Sequence, residues 1–125
     1  MNTSDAPQSL AVVDVEKVRD IAKVSENFLH DMFTGFRDHY ADAATTIRKF
    51  LDAGEQKDAK ILAHSIVGIS GSLGAEQVYA AATNLDRALV QGHMAAVEQA
   101  FPDFQESLAR LIDYIDDQYP THTVV

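Results

Sequence analysis

Apolar residues recur along most of this 125-residue chain at alternating intervals of three and four. That spacing is the signature of helices with one buried face. The longest series begins after Ser25 and runs Leu29, Met32, Phe36, Tyr40, Ala43, Ile47 and Leu51. It predicts one long helix, with Gly35 as a possible bend and Gly54 as the stop. A second stripe, Leu62, Ile66, Ile69 and Leu73, predicts a helix from about Gln56 to Leu73 that ends or turns at Gly74. A third, Val78, Ala82, Leu85 and Leu89, stops at Gly92. The last, Val97, Phe101, Phe104, Leu108, Leu111 and Ile115, keeps its phase through Pro102. That proline therefore sits in a first turn or kinks a continuous helix. Upstream, Asp14 is placed to cap a short helix presenting Val15, Val18 and Ile21 on one face.

Strand signals are weak, and neither an internal repeat nor a low-complexity segment interrupts the pattern. Four long amphipathic helices with short connections predict an all-α fold, an antiparallel four-helix bundle. The short additional N-terminal helix is expected to cover one end. The expected organisation is a flexible tail over residues 1–13, the bundle over 14–119 and a short C-terminal tail over 120–125.

Composition narrows the class. Apolar residues make up 46% of the chain, enough for one packed core. With no cysteine, disulfides and thiolate-metal sites are excluded, which suits a cytoplasmic protein. The formal net charge of −9 argues against nucleic acid and anionic membrane as partners, since both are bound through clustered Lys and Arg. Acidity by itself serves solubility and names no partner. The opening "MNTSDAPQSLAVV" lacks the basic start and apolar run of a secretion signal. No stretch approaches the roughly 20 apolar residues of a membrane span. The chain reads as a free-standing small protein.

Candidate chemistry concentrates in residues 63–75, "AHSIVGISGSLGA". At about 100° per residue, Lys60, His64, Gly68 and Gly71 fall on the helix face turned away from the Leu62–Leu73 stripe. His64 is then exposed in mid-helix, with glycines one and two turns beyond it. Each glycine costs a helix about 1 kcal/mol relative to alanine. An exposed face gives no packing reason for that cost, whereas clearing a trough beside the imidazole does. Neutral imidazole is a nucleophile near its ordinary pKa of about 6.5 and can hold a phosphoryl group as a phosphoramidate. An ordinary surface histidine beside incidental glycines stands as the alternative at this point.

The same stretch resembles the signature of histidine-containing phosphotransfer (Hpt) domains, roughly Ala-His-x-Leu-Lys-Gly, then small residues, then Leu-Gly-Ala. Ala63, His64, Gly68, Leu73, Gly74 and Ala75 match, and Ile66 stands for the leucine. The intervening Ser70, Gly71 and Ser72 are small, as the pattern asks. A Leu-Glu pair twenty-one and twenty-two residues after the histidine appears as Leu85-Asp86. The resemblance covers about residues 14–118. It implies that His64 is the phosphoacceptor of a multistep His–Asp phosphorelay. Gly68, Gly71, Val67 and Ser65 would then serve access and docking. The implied partners are receiver domains of response regulators or hybrid histidine kinases, with Mg²⁺ and the acidic catalytic pocket on the receiver. The protein itself would be a carrier and not an enzyme, with no cofactor of its own.

Two departures qualify the match. The family usually has lysine three residues after the histidine, where this chain has Val67. Lys60, one turn before His64, and Arg87 are candidate substitutes for that phosphoryl-neutralising charge. Asp86 stands where relatives have a glutamate that orients the imidazole through Nδ1. Being one methylene shorter, it reads as a solvated carboxylate for which direct contact is doubtful. Alternatives therefore remain at this stage: a degenerate Hpt that binds or sequesters a receiver without efficient transfer, or a structural helical adaptor. The repeated Glu-x-x-His pairs of bundle di-metal sites are absent, so no metal is expected at His30, His39, His93 or His122. "GISGSLG" has neither the Lys-Ser/Thr of a phosphate-binding loop nor the Gly-x-Ser-x-Gly of a hydrolase elbow. The six phenylalanines read most simply as core.

Overall fold

In the computed structural model, which describes residues 10–22 and 26–120, the chain is all helical. Six helices follow one another: α1 (Val15–Ala22), α2 (Glu26–Tyr40), α3 (Ala43–Asp52), α4 (Gln56–Ser72), α5 (Glu76–Gln91) and α6 (Met94–Gln118). Helices α4, α5 and α6 are consecutive antiparallel neighbours. Helix α3 packs against α4 and α6, while α2 packs against α6 and α1. The antiparallel bundle with a short extra N-terminal helix is thus present, one of its four arms being broken into α2 and α3.

That break differs from expectation in both place and kind. The helix runs through Gly35 without interruption and opens at Ala41-Asp42. Asp42 leaves helical geometry at φ −98° and ψ 13°, and its carbonyl accepts the Thr46 amide at 3.0 Å. The interruption preserves the hydrophobic phase: Leu29 and Phe36 before it, and Ala43, Ile47 and Leu51 after it, all face the core. Periodicity cannot reveal a break that keeps the stripe in register. Ser25 and His122 lie outside the described residues, as does the side chain of Ile21.

Helix α1 starts where its cap predicts. Asp14 Oδ1 accepts the amides of Glu16 and Lys17 at 3.1 and 3.4 Å, satisfying donors that a helix N-terminus leaves free. Its buried residue is Val18, whereas Val15 is 59% exposed. The expected stripes of α5 and α6 are buried throughout. In α4 the core face is Ala59, Ala63, Ile66, Ser70 and Leu73. Ile69, placed on that stripe from sequence, is instead exposed. Among the phenylalanines, Phe28 is 54% exposed, against the expectation of a core residue.

Pro102 lies in the interior of α6, which leaves the Glu98 carbonyl without its helical donor. On the neighbouring turn Arg48 of α3 reaches across to the Glu98 side chain. Its Nη1 and Nη2 donate to Oε1 and Oε2 at 2.9 and 2.7 Å, and its guanidinium lies over the Phe101 ring. The C-terminal end is held similarly. Arg37 donates to Asp116 and to the Tyr119 carbonyl, while the Tyr119 ring stacks on Phe33 at 5.0 Å.

Residues 10–13, expected to belong to a loose tail, form instead a strap across the α4–α5 turn. Asp14 N–H donates to the Gly74 carbonyl at 2.7 Å, and Gln77 N–H donates to the Ala11 carbonyl. Ala11 N–H donates to Glu76 Oε1, and the Gln77 amide to the Leu10 carbonyl. Gly74 makes this possible. Its φ of +70° belongs to the left-handed region, and a Cβ there would lie 3.4 Å from the Asp14 carbonyl oxygen. It is the φ, and not that ordinary contact, that favours glycine here.

Candidate functional site

His64 projects from the middle of α4 with its side chain 75% exposed. Its surroundings follow from the antiparallel pairing of α4 with α5, in which Gly71 meets Tyr79 and His64 meets Asp86. Asp86 Oδ2 lies 3.2 Å from His64 Nδ1. A carboxylate only accepts, so the contact is made through a proton on Nδ1, and in the neutral ring that tautomer leaves the Nε2 lone pair free. The Asp86 side chain is 17% exposed and the imidazole far more so. This corrects the expectation of a solvated aspartate too short to reach.

The shorter side chain reaches across the α4–α5 contact, the most extensive between any two of the described helices. The buried alanines Ala59 and Ala63 on α4 and Ala82 on α5 leave little side-chain bulk between the two helices. Interaxial distance falls with the size of contacting side chains.

The two glycines have different reasons. Nothing stands within 4 Å of a Cβ built at Gly68, so that position is open beside the imidazole, as expected. Gly71 is a correction. A Cβ there would lie 3.3 Å from Cδ1 and Cε1 of the Tyr79 ring, and its carbonyl accepts the Lys17 ammonium at 2.7 Å. Gly71 seats an aromatic ring as well as widening the trough.

Val67 is half-buried and packs on the core. Ser65 is exposed on the outer face, its hydroxyl donating to the Ile61 carbonyl at 3.0 Å. Lys60 is half-buried and Arg87 exposed. Neither has an ion pair or hydrogen bond among the described residues. Helical side chains lean toward the N-terminus, so Lys60 leans away from His64. Arg87 lies about 100° around α5 from Asp86.

Sequence reasoning missed Tyr79 and Lys17. Tyr79, Asp86 and Val90 follow one another at intervals of seven and four, and Tyr79 and Val90 are exposed. That spacing was a usable signal for a second face on α5. Lys17 carried none, because its position depends on how α1 folds back over the α4–α5 turn.

The other described histidines stand apart from this cluster. His30 meets the Tyr119 ring edge-on, His39 lies beside Tyr40, and His93 precedes α6 at an exposed turn. Among the described residues no group of three or more histidines and carboxylates is arranged to hold a metal ion. Nor is any helix of these residues long and apolar enough to cross a membrane.

No curated protein and no solved structure matches the chain. The family model for the Hpt domain does match, over residues 31–116. That span takes in α3, α4 and α5 whole, with His64, its aspartate partner and the glycines beside it. On that match, over well more than half its length, this chain belongs to the Hpt domain family.

Proposed function

We propose that this protein is a histidine phosphocarrier that moves a phosphoryl group between receiver-domain aspartates, with His64 as acceptor. The observation that carries the reading is an exposed mid-helix imidazole whose Nδ1 is held by a mostly buried carboxylate. In the forward step the Nε2 lone pair attacks phosphorus of a receiver's aspartyl phosphate. An N–P bond forms, the P–O bond breaks, and its electron pair leaves on the receiver carboxylate. The ring keeps its Nδ1 proton and gains positive character, which the Asp86 carboxylate 3.2 Å away stabilises. The return step is the reverse, with a second receiver's aspartate as nucleophile. Mg²⁺ and the acidic pocket belong to the receiver in this reading, so the chain supplies an oriented nucleophile and a docking face.

Val67 favours a second reading, a degenerate carrier that binds a receiver without efficient transfer. Where the family pattern has lysine, the aliphatic side chain is half-buried on the core and brings no charge to the phosphoryl group.

The test is to incubate wild type and His64→Gln with a phosphorylated receiver. The expected result is label on the wild type, stable to base and lost in acid, and none on the variant. Label at wild-type level on His64→Gln overturns the assignment. Receiver binding by a wild type that takes up no label selects the degenerate carrier.

A further inference from the structure

A groove of about 710 Å³ opens beside the His64 face. Its α4 side includes Gly68, one turn past His64, and Gly71. Its α5 side includes Tyr79, and its far wall is the N-terminal strap with Leu10 together with the start of α1, Asp14 and Lys17. Any partner broad enough to cover His64 and Gly68 also covers the mouth of this groove. Leu10, α1 and the strap all precede residue 31, where the family match begins. One wall is therefore generic to the family span, and the other is built from residues outside it.

The charges around the groove are unevenly satisfied. Asp14 Oδ1 is engaged with two backbone amides, and Glu76 Oε1 with the Ala11 amide. The Lys17 ammonium, by contrast, donates to a neutral carbonyl, that of Gly71. Its stem lies over Gly74, where Cδ is 3.4 Å from the position of a Cβ. An arriving carboxylate is a stronger partner for an ammonium than a peptide oxygen. Leu10 and the Tyr79 ring offer apolar surface next to it.

We infer that this groove is a specificity pocket for the receiver, in which Lys17 reads an acidic side chain of the partner while Leu10 and Tyr79 take a neighbouring apolar one. The inference rests on the phosphocarrier reading and adds to it which receivers the chain selects. Lys17 acts as a docking residue, two turns of α4 away from the imidazole and without a part in the transfer step.

The experiment uses the full chain as wild type, Lys17→Glu, Lys17→Met and Lys17→Arg. Each is offered a panel of isolated receivers phosphorylated with acetyl phosphate. Each transfer rate is divided by the rate at which the same variant is labelled by phosphoramidate, a small donor that needs no docking. For the receiver that the wild type prefers, the ratio is expected to fall at least about tenfold in Lys17→Glu and about threefold in Lys17→Met, and to return in Lys17→Arg. The ranking of receivers changes with it. Ratios within twofold of wild type for every receiver overturn the inference, as does an equal fall for all receivers, which would make Lys17 a general contact. Should Lys17→Glu melt early, Lys17→Met decides, since it keeps the stem over Gly74. A wild type that phosphoramidate cannot label at His64 rejects the carrier reading itself, a result distinct from either of these.

Discussion

At position 67 a methyl-bearing side chain and a cation compete for one site on α4. Valine gains core contact there, and a phosphoryl group on His64 loses a neighbouring charge. Direction along the helix decides what could replace it. A side chain three residues after His64 leans back toward the imidazole, whereas Lys60, four residues before, leans away. Val67→Lys is therefore expected to raise phosphohistidine yield about fivefold, the equivalent of ~1 kcal/mol of added attraction. Lys60→Ala should lower it by less than about twofold. Yields measured at low and moderate salt check this, and the Val67→Lys gain should shrink as salt rises. The histidine itself was legible in sequence, through its flanking residues and its position on the polar face. The reach of Asp86 was not. Side-chain length alone argued against contact, and what overrules it is the way α4 and α5 pair, a property of both helices together.

Among elements, α4 carries two glycines in its interior, against its own stability. Gly68 and Gly71 both lower its helix propensity, and their surroundings predict different outcomes on substitution. Gly68→Ala meets empty space and should stabilise the protein by about 0.5–1 kcal/mol. Gly71→Ala gains the same propensity but pushes on the Tyr79 ring from 3.3 Å, so its net change should be near zero. Urea unfolding of both variants separates them. Gly68→Gln should combine higher stability with slower transfer, because its longer side chain crowds the imidazole. A stabilised Gly68→Gln that transfers normally would remove access as the reason for that glycine. Element type and helix phase were readable throughout from spacings of three and four. The Ala41-Asp42 break was not, because it leaves the phase intact. Ile69 was misplaced because on α4 the small residues Ala59, Ala63 and Ser70 take the core side and an isoleucine remains outside.

For the molecule as a whole, the bidentate Arg48–Glu98 pair ties the broken arm to α6. The hydrogen-bonded guanidinium holds the Glu98 carboxyl below its ordinary value of 4.5. A depressed folded value means that the stabilisation is complete above that ordinary value. It is lost as pH falls through the lower folded one. Because the Glu98 side chain is 52% exposed, screening limits the pair to about 0.5–1 kcal/mol. Arg48→Met is expected to cost about 1 kcal/mol near neutral pH, including the contact over Phe101. In urea melts repeated down the pH scale, its deficit against wild type should narrow below about pH 4. At this scale the bundle could be read from four stripes and their short connections. The strap over the α4–α5 turn could not, since "LAVVD" carries no periodicity and its backbone hydrogen bonds exist only once Gly74 has made its turn.

The strap and the Tyr119 clamp have a joint consequence for handling the protein. Leu10 is tied to Gln77; Arg110, two turns before the end of α6, reaches the same Gln77. Leu10 therefore lies at the α4–α5 turn, the end that bears the groove, and the last two turns of α6 run on past it to α2. The opposite end carries the Gly54 and Gly92 turns, and a Cβ at either glycine meets nothing within 4 Å. A fluorophore or surface linker attached at Leu10 would sit in the wall of the groove. One attached at the exposed residues flanking Gly54 or Gly92 would hold the molecule by the opposite pole and leave the groove clear for measurement.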